Sequence, residues 1–300
     1  MRAYAPVAVA GVAAALLPGL GSPYVLSLTL TCLMYVALAT SWSMFSGATG
    51  YISFGTAAFF GLGAYVCAWT LDWLPWPVVI LGGAALAAAF AAGTGGMILH
   101  LRGTYFAVLT FGLAELVRHA MTYGEKQYAG TVGRMLTEVP SDLVVYYTVL
   151  ALAVAAVAIA VAVRRSRFGL ALAGIGADEQ RAETLGVPTR RIKIAGFTLA
   201  AAVAGGIGAA MAVRWTYIEP LAVFNPFIGL QTVLIAMIGG AGSIAGPVVA
   251  AILFSLIAEY LRLQFPYAYM IALGLLLILS MLYLPNGLAG LWRRAGRVNR

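Results

Sequence analysis

The chain has 300 residues, of which 62% are hydrophobic and 9% charged, where a soluble domain carries about 25% charged residues. That composition excludes a water-soluble globular protein and indicates one embedded in a bilayer. The net charge of +8 gathers beside the apolar runs, which points to orientation and lipid contact rather than to nucleic acid.

The basic start at Arg2 and the apolar run Tyr4–Leu17 read as a short span or a signal peptide. Tyr24–Phe45 predicts a full, uncharged span running inward. Ser46–Ser53 is rich in Gly and Ser and predicts a break, after which Phe54–Leu71 returns outward with Gly55, Gly61 and Gly63 on neighbouring turns. Irregular backbone at membrane depth persists only where protein or a water-filled cavity satisfies it. Helix N-termini at such breaks aim N–H groups at anionic ligand groups. Tyr51, Ser53, Phe54 and Gly55 are therefore candidate translocation-pathway residues, with ordinary packing as the alternative.

Asp72, Trp73 and Trp76 mark an outer interface, because indoles prefer the headgroup level. Trp76–Leu99 leads inward to His100 and Arg102, and Thr104–Met121 leads out again. Glu115 and Arg118 lie three apart on that helix and share a face. Such a pair within a span either neutralises itself or lines a polar path, so Glu115 joins the pathway candidates. Thr122–Asp142 is the outer loop, and Leu143–Val163 runs inward.

Arg164 to Lys193 cannot sit in a bilayer. It carries Arg164, Arg165, Arg167, Arg181, Arg190, Arg191 and Lys193 together with Asp178, Glu179 and Glu183, and each charge at a bilayer centre costs about 2.5–3.5 kcal/mol. Its basic excess places it on the cytoplasmic side. Ser166 predicts a cap for a helix over Arg167–Ile175. Asp178 predicts a cap for a second helix, with Glu179 in its favourable first turn. Gly186 suits the position after that helix, Pro188 blocks its continuation, and Thr189 is expected to cap the next span. Two short helices between spans form a docking surface; a plain charged loop is the alternative.

Ile194–Val213 leads out to the polar, aromatic segment Arg214–Pro220. The tail holds Arg293, Arg294, Arg297 and Arg300 and belongs in the cytoplasm, which requires three further crossings. The chain must therefore reverse at Gly239–Pro247, between Phe227–Ile238 and Val248–Leu261, before Tyr267–Tyr283 runs inward. The first two of these are short and read either as crossings or as paired half-helices. Gly239, Gly240, Gly242 and Ser243 in the turn complete the pathway candidates. Glu259 and Arg262 repeat the three-residue acid–base spacing. The turns at 47–55 and 239–247 resemble each other and fall on one side, as an internal repeat about the membrane normal would place them. The expectation is one domain over 1–300: an all-α polytopic protein of about ten transmembrane helices with Gly-rich broken or re-entrant segments and both termini cytoplasmic.

No G-x-x-x-x-G-K-[ST] occurs, and the two lysines, Lys126 and Lys193, follow no Gly-rich loop, so ATP binding is not expected. No HExxH or GxSxG motif suggests catalysis. His100 and His119 have no companions at metal-ligand spacing, and Cys32 and Cys67 lie in apolar runs.

SRFGLALAGIGADEQRAETLGV (166–187) followed by KIAGFTLAAAVAGGIGA (193–209) resembles the coupling loop of branched-chain amino acid ABC transporter permeases, of the LivM type. GYISFGTAAFFGLGAY (50–65), LRGTYFAVLTFGLAEL (101–116), MIGGAGSIAGPVVAAIL (237–253) and LPNGLAGL (284–291) extend the likeness over most of the chain in the family's order. The resemblance implies the membrane subunit of a bacterial inner-membrane importer for branched-chain or other aliphatic amino acids. It implies as partners a second, LivH-like permease chain, two ATP-binding subunits and a periplasmic binding protein. ATP and Mg would sit in those partners, with no cofactor here. A mixed pair such as Glu115 and Arg118 would suit a substrate with one ammonium and one carboxylate. Phe168, Gly169, Asp178, Glu179, Ala182, Glu183, Leu185 and Gly186 are the implied ATPase-coupling residues. Two places depart from the family: Ala173-Gly174 stand where a basic residue usually follows FG-x-AL, and residues 129–133 match a T-G-G-x-x-G turn only loosely. The alternatives are a permease for urea or short amides, or an ion-coupled secondary transporter or channel needing no ATPase.

Overall fold

The computed structural model describes residues 22–265 apart from 129 and 216, together with 268, 271, 274 and 275. The expected spans at 4–17 and 267–283 and the basic tail lie outside the described residues. The helices are α1 (Pro23–Trp42), α2 (Thr56–Thr70), α3 (Trp76–Ile98), α4 (Thr104–Tyr128), α5 (Asp142–Arg165), α6 (Arg167–Ala177), α7 (Glu179–Thr184), α8 (Thr189–Ala212), α9 (Pro220–Val223), α10 (Pro226–Gly239) and α11 (Ala245–Gln264). A short antiparallel ribbon pairs β1 (Arg134–Met135) with β2 (Tyr217–Ile218). Among the described residues, six helical segments are long and apolar enough to cross a bilayer; the protein is a multi-pass, all-α membrane protein.

Three boundaries differ from the expectation, each for a physical reason. The break is narrower, because α1 continues through a π turn at Ser43–Gly47 and the Gly50 N–H still bonds the Ser46 carbonyl at 2.9 Å. The chain leaves the helix only at Gly50, whose φ of 75° is open to glycine. α11 has 20 residues, about 30 Å at 1.5 Å per residue, so it is long enough for a full crossing. α10, with 14 residues, reaches only about 21 Å and is long enough to cross only together with α9, as Pro220–Gly239. α8 starts at Thr189 rather than Ile194 and so carries Lys193 into the protein, where partners neutralise it. Thr189 itself does not cap α8; its hydroxyl donates to Glu183 Oε1 at 2.6 Å.

α1 is apolar all round and is buried from Met34 through Phe45, as a helix without a polar face must be. α8 packs most extensively on α3 and α2. A Cβ added to Gly63 would overlap the Gly205 carbonyl, and one added to Gly208 would overlap that of Phe60. The glycines of α2 and α8 thus serve close helix approach. The Gly-rich turns at 47–55 and 239–247 lie at one pole of the bundle and touch each other. A Cβ on Gly47 would overlap the Ala241 carbonyl, which accepts from Ser43 Oγ at 2.7 Å. α6 and α7 sit at this same pole. The ribbon closes the opposite one.

Candidate functional site

The loop at 164–193 folds as its caps dictate. Ser166 Oγ accepts from the Gly169 N–H at 3.2 Å and starts α6. Asp178 Oδ1 accepts from the Arg181 N–H at 3.1 Å and starts α7. At the far end of α7 the Gly186 N–H reaches the Glu183 carbonyl at 2.9 Å and the Val187 N–H reaches that of Ala182 at 3.0 Å. This is the paired bonding of a Schellman motif, with Gly186 at φ 84°.

Each helix of the loop has an inner and an outer face. Leu172, Ile175 and Ala182 are buried. Gly169 and Gly176 lie so close to the Val163 and Ala48 carbonyls that a Cβ on either would overlap them. Phe168 packs partly against the core. On the outer face Leu170 is 74% exposed and Leu185 is 83% exposed. Open space lies beyond Gly174 and Gly186, so the Ala173-Gly174 position faces outward.

The inner face ends in a charged cluster. Glu179 is 9% exposed and Lys193 is 4% exposed. Glu179 Oε1 accepts from Lys193 Nζ at 2.6 Å. Glu179 Oε2 accepts from the Tyr51 hydroxyl at 2.7 Å and pairs with Arg102 Nε at 3.1 Å. Lys193 Nζ also donates to the Leu99 carbonyl at 2.8 Å and to Tyr51 Oη at 3.1 Å. Leu99 follows the last turn of α3, where a cation is favoured. Burial by itself raises the Glu179 carboxyl, but the hydrogen bonds from Lys193 and Tyr51 and the charges of Lys193 and Arg102 outweigh it and hold the group below the usual glutamate value.

The cluster unites residues from two different sequence-derived groups, Tyr51 of the pathway set and Glu179 of the coupling set. Three backbone groups of the break beyond Tyr51 are satisfied by protein. The Ser53 carbonyl accepts from Trp42 Nε1 at 2.7 Å, the Phe54 N–H donates to Thr110 Oγ1 at 3.0 Å, and the Gly55 N–H donates to Ser53 Oγ at 3.2 Å. Gly242 and Ser243 line a cavity of about 200 Å³ together with Thr40, Ser43, Arg164 and Leu172. The Thr40 hydroxyl there is buried without a partner among the described residues. Gly239 lies against Gly246, and Gly240 turns the chain at φ 91°.

Glu115 stands apart from this cluster. It pairs with Arg118 Nε at 3.0 Å and lies 3.8 Å from His119 Nε2, on a half-exposed face of α4. Glu259 and Arg262, expected to repeat this pair, form no ion pair with each other, nor with any other of the described residues.

Lys193 and Arg102 were not singled out from the amino-acid sequence as members of the site. The available signal was a lone lysine opening the apolar run KIAGFTL, since buried lysines demand partners.

Residues 24–282 match the family described as branched-chain amino acid transport system / permease component. The chain belongs to this family. The permease is 29% identical, over 88% of its length and 69% of the relative's, to the high-affinity branched-chain amino acid transport system permease protein LivM of Escherichia coli (strain K12). It is 27% identical, over 87% of its length and 69% of the relative's, to the protein of the same name from Salmonella typhimurium. No solved structure matches the permease. The family match extends over both Gly-rich turns, the charged cluster and the loop.

Proposed function

We propose that this permease is one membrane-spanning subunit of an ABC importer in a bacterial inner membrane, with about ten crossings and both termini in the cytoplasm. It carries branched-chain or other aliphatic amino acids. Two ATP-binding subunits drive it, a periplasmic binding protein supplies it, and a second, LivH-like permease chain completes the pathway. The observation that carries this reading is the two-helix loop at one pole. Its inner face is anchored by the buried Glu179–Lys193 pair while its outer face presents Leu170 and Leu185 to an open side. Exposed leucines on a rigid, water-facing element suit a protein partner. That residues 1–300 carry no P-loop sequence supports hydrolysis by other chains, which would hold the ATP and Mg.

The outward face of α4 supports a second membrane subunit. Glu115, Arg118 and His119 lie toward the outer end of the expected span Thr104–Met121, and charges within a span are costly against lipid. A facing permease chain would cover them and share a polar path for a zwitterion.

The test is co-purification with the ATP-binding subunits of the same system. The unsubstituted permease retains them, and the pair Leu170→Asp and Leu185→Asp releases them while changing permease stability by no more than about 0.5 kcal/mol. Retention by the substituted protein, or labelling of the loop from the periplasmic side of sealed cells, overturns the reading.

A further inference from the structure

The loop is joined to the bundle by contacts of two unequal kinds. α6 rests on apolar side chains and on backbone approached by Gly169 and Gly176, and such surfaces slide at modest cost. α7 is joined through Glu179, whose two oxygens receive Lys193, Tyr51 and Arg102. An ammonium has three donors and no acceptor. Those of Lys193 go to Glu179, the Leu99 carbonyl and Tyr51 Oη. Separating α7 from α8 would break the ion pair between two buried charges, which strongly disfavours that motion. Displacement of the loop must therefore carry these partners with it.

We infer that Lys193 and Tyr51 are positioning residues that transmit movement of the loop, Lys193 into α8 and the end of α3, and Tyr51 into the break between α1 and α2. Tyr51 thereby belongs to the coupling machinery rather than to the wall of the pathway. From Tyr51 the connection continues through the Ser53 carbonyl to Trp42 and through the Phe54 N–H to Thr110 of α4, the helix that carries Glu115. The proposal rests on the ABC reading above.

The experiment uses the complete complex, with its ATP-binding subunits and binding protein, reconstituted in vesicles. Uptake of labelled leucine and ATP hydrolysis are measured together. Lys193→Met lowers leucine moved per ATP hydrolysed by about tenfold, with the ATP-binding subunits still attached; a merely structural loss would lower both rates in proportion and leave the ratio unchanged. An unchanged ratio in the assembled variant overturns the proposal. Where Lys193→Met fails to assemble, Tyr51→Phe decides. It keeps the edge-on packing against Phe106 at 5.3 Å and removes one hydroxyl. It lowers the ratio by about threefold, and an unchanged ratio overturns the proposal. Combining Tyr51→Phe with Lys193→Met adds less than the two separate effects, because residues acting as a unit are not additive; full additivity also counts against the connection. An unsubstituted complex that takes up leucine without hydrolysing ATP refutes instead the reading on which the proposal rests.

Discussion

A buried glutamate stands at each pole of the bundle, and the two are held in opposite ways. Glu179, at the loop pole, meets two cations and a hydroxyl, and both of its oxygens are engaged. Glu125, at the ribbon pole, is 6% exposed and among the described residues meets only neutral donors: Tyr65 Oη at 3.1 Å and the Gly133 N–H at 2.8 Å, both on Oε2. Its Oε1 has no partner among the described residues. The rest of that pole is light: Tyr217 Oη donates to the Val132 carbonyl, Arg134 stands 6.0 Å from the Trp69 ring, and the ribbon pairs two residues on each strand. The contrast separates an end held by buried charges from an end held by fewer, neutral contacts.

The largest test of this contrast is to strip one partner from the charged end. Lys193→Met leaves the buried Glu179 charge with Arg102 and Tyr51 alone, and the permease should lose up to about 3–5 kcal/mol, read from its melting curve in detergent. The double variant Glu179→Leu with Lys193→Met should recover most of that loss, since an apolar pair can replace a buried ionic one. A double variant no more stable than the single one would mean that the cations do not balance the carboxylate as described.

Gly63→Ala should cost about 1–3 kcal/mol, because the new methyl meets the Gly205 carbonyl rather than a movable side chain. Gly174→Ala, with open space around it, should change stability by no more than about 0.5 kcal/mol. Equal effects at the two glycines would refute close helix approach between α2 and α8.

Glu125→Gln keeps an acceptor for Tyr65 and Gly133 and should shift stability by about 1 kcal/mol or less. A loss as large as that of Glu179→Gln would erase the difference between the poles.

The smallest expected effect is a pH dependence confined to the loop. The Glu179 carboxyl is held below its usual value in the fold. Its stabilising contribution is therefore complete above the unfolded glutamate value of about 4.3 and is lost as pH falls through the lower, folded value. Amide exchange in α7 should quicken on that acid side while exchange in α5 stays unchanged. Glu179→Gln should remove the step; a step that persists would assign it to another group.

Much of this molecule was legible residue by residue. The caps at Ser166 and Asp178 and the reversal at Gly186 form as their side chains and φ preferences require. The Glu115–Arg118 pair was legible because three-residue spacing on one helix brings side chains together. Glu259 and Arg262 share that spacing and do not pair, so proximity along a helix permits an ion pair without compelling it. The π turn at Ser43–Gly47 was not legible, since its widening is paired with the Ala241 carbonyl of a turn far along the chain.

The amino-acid sequence by itself determined the apolar character, the alternation of helices and breaks, and the two-helix loop, because these depend on neighbours within a few residues. Only the tertiary structure decided that Lys193 would be a buried partner of Glu179 rather than a water-facing charge, and that Tyr51 would join them. Those groups lie 14 and 128 positions from Glu179. Separations of that kind carry no local signal, and the packing of α3, α7 and α8 brings the charges into one dry site where each must find the other.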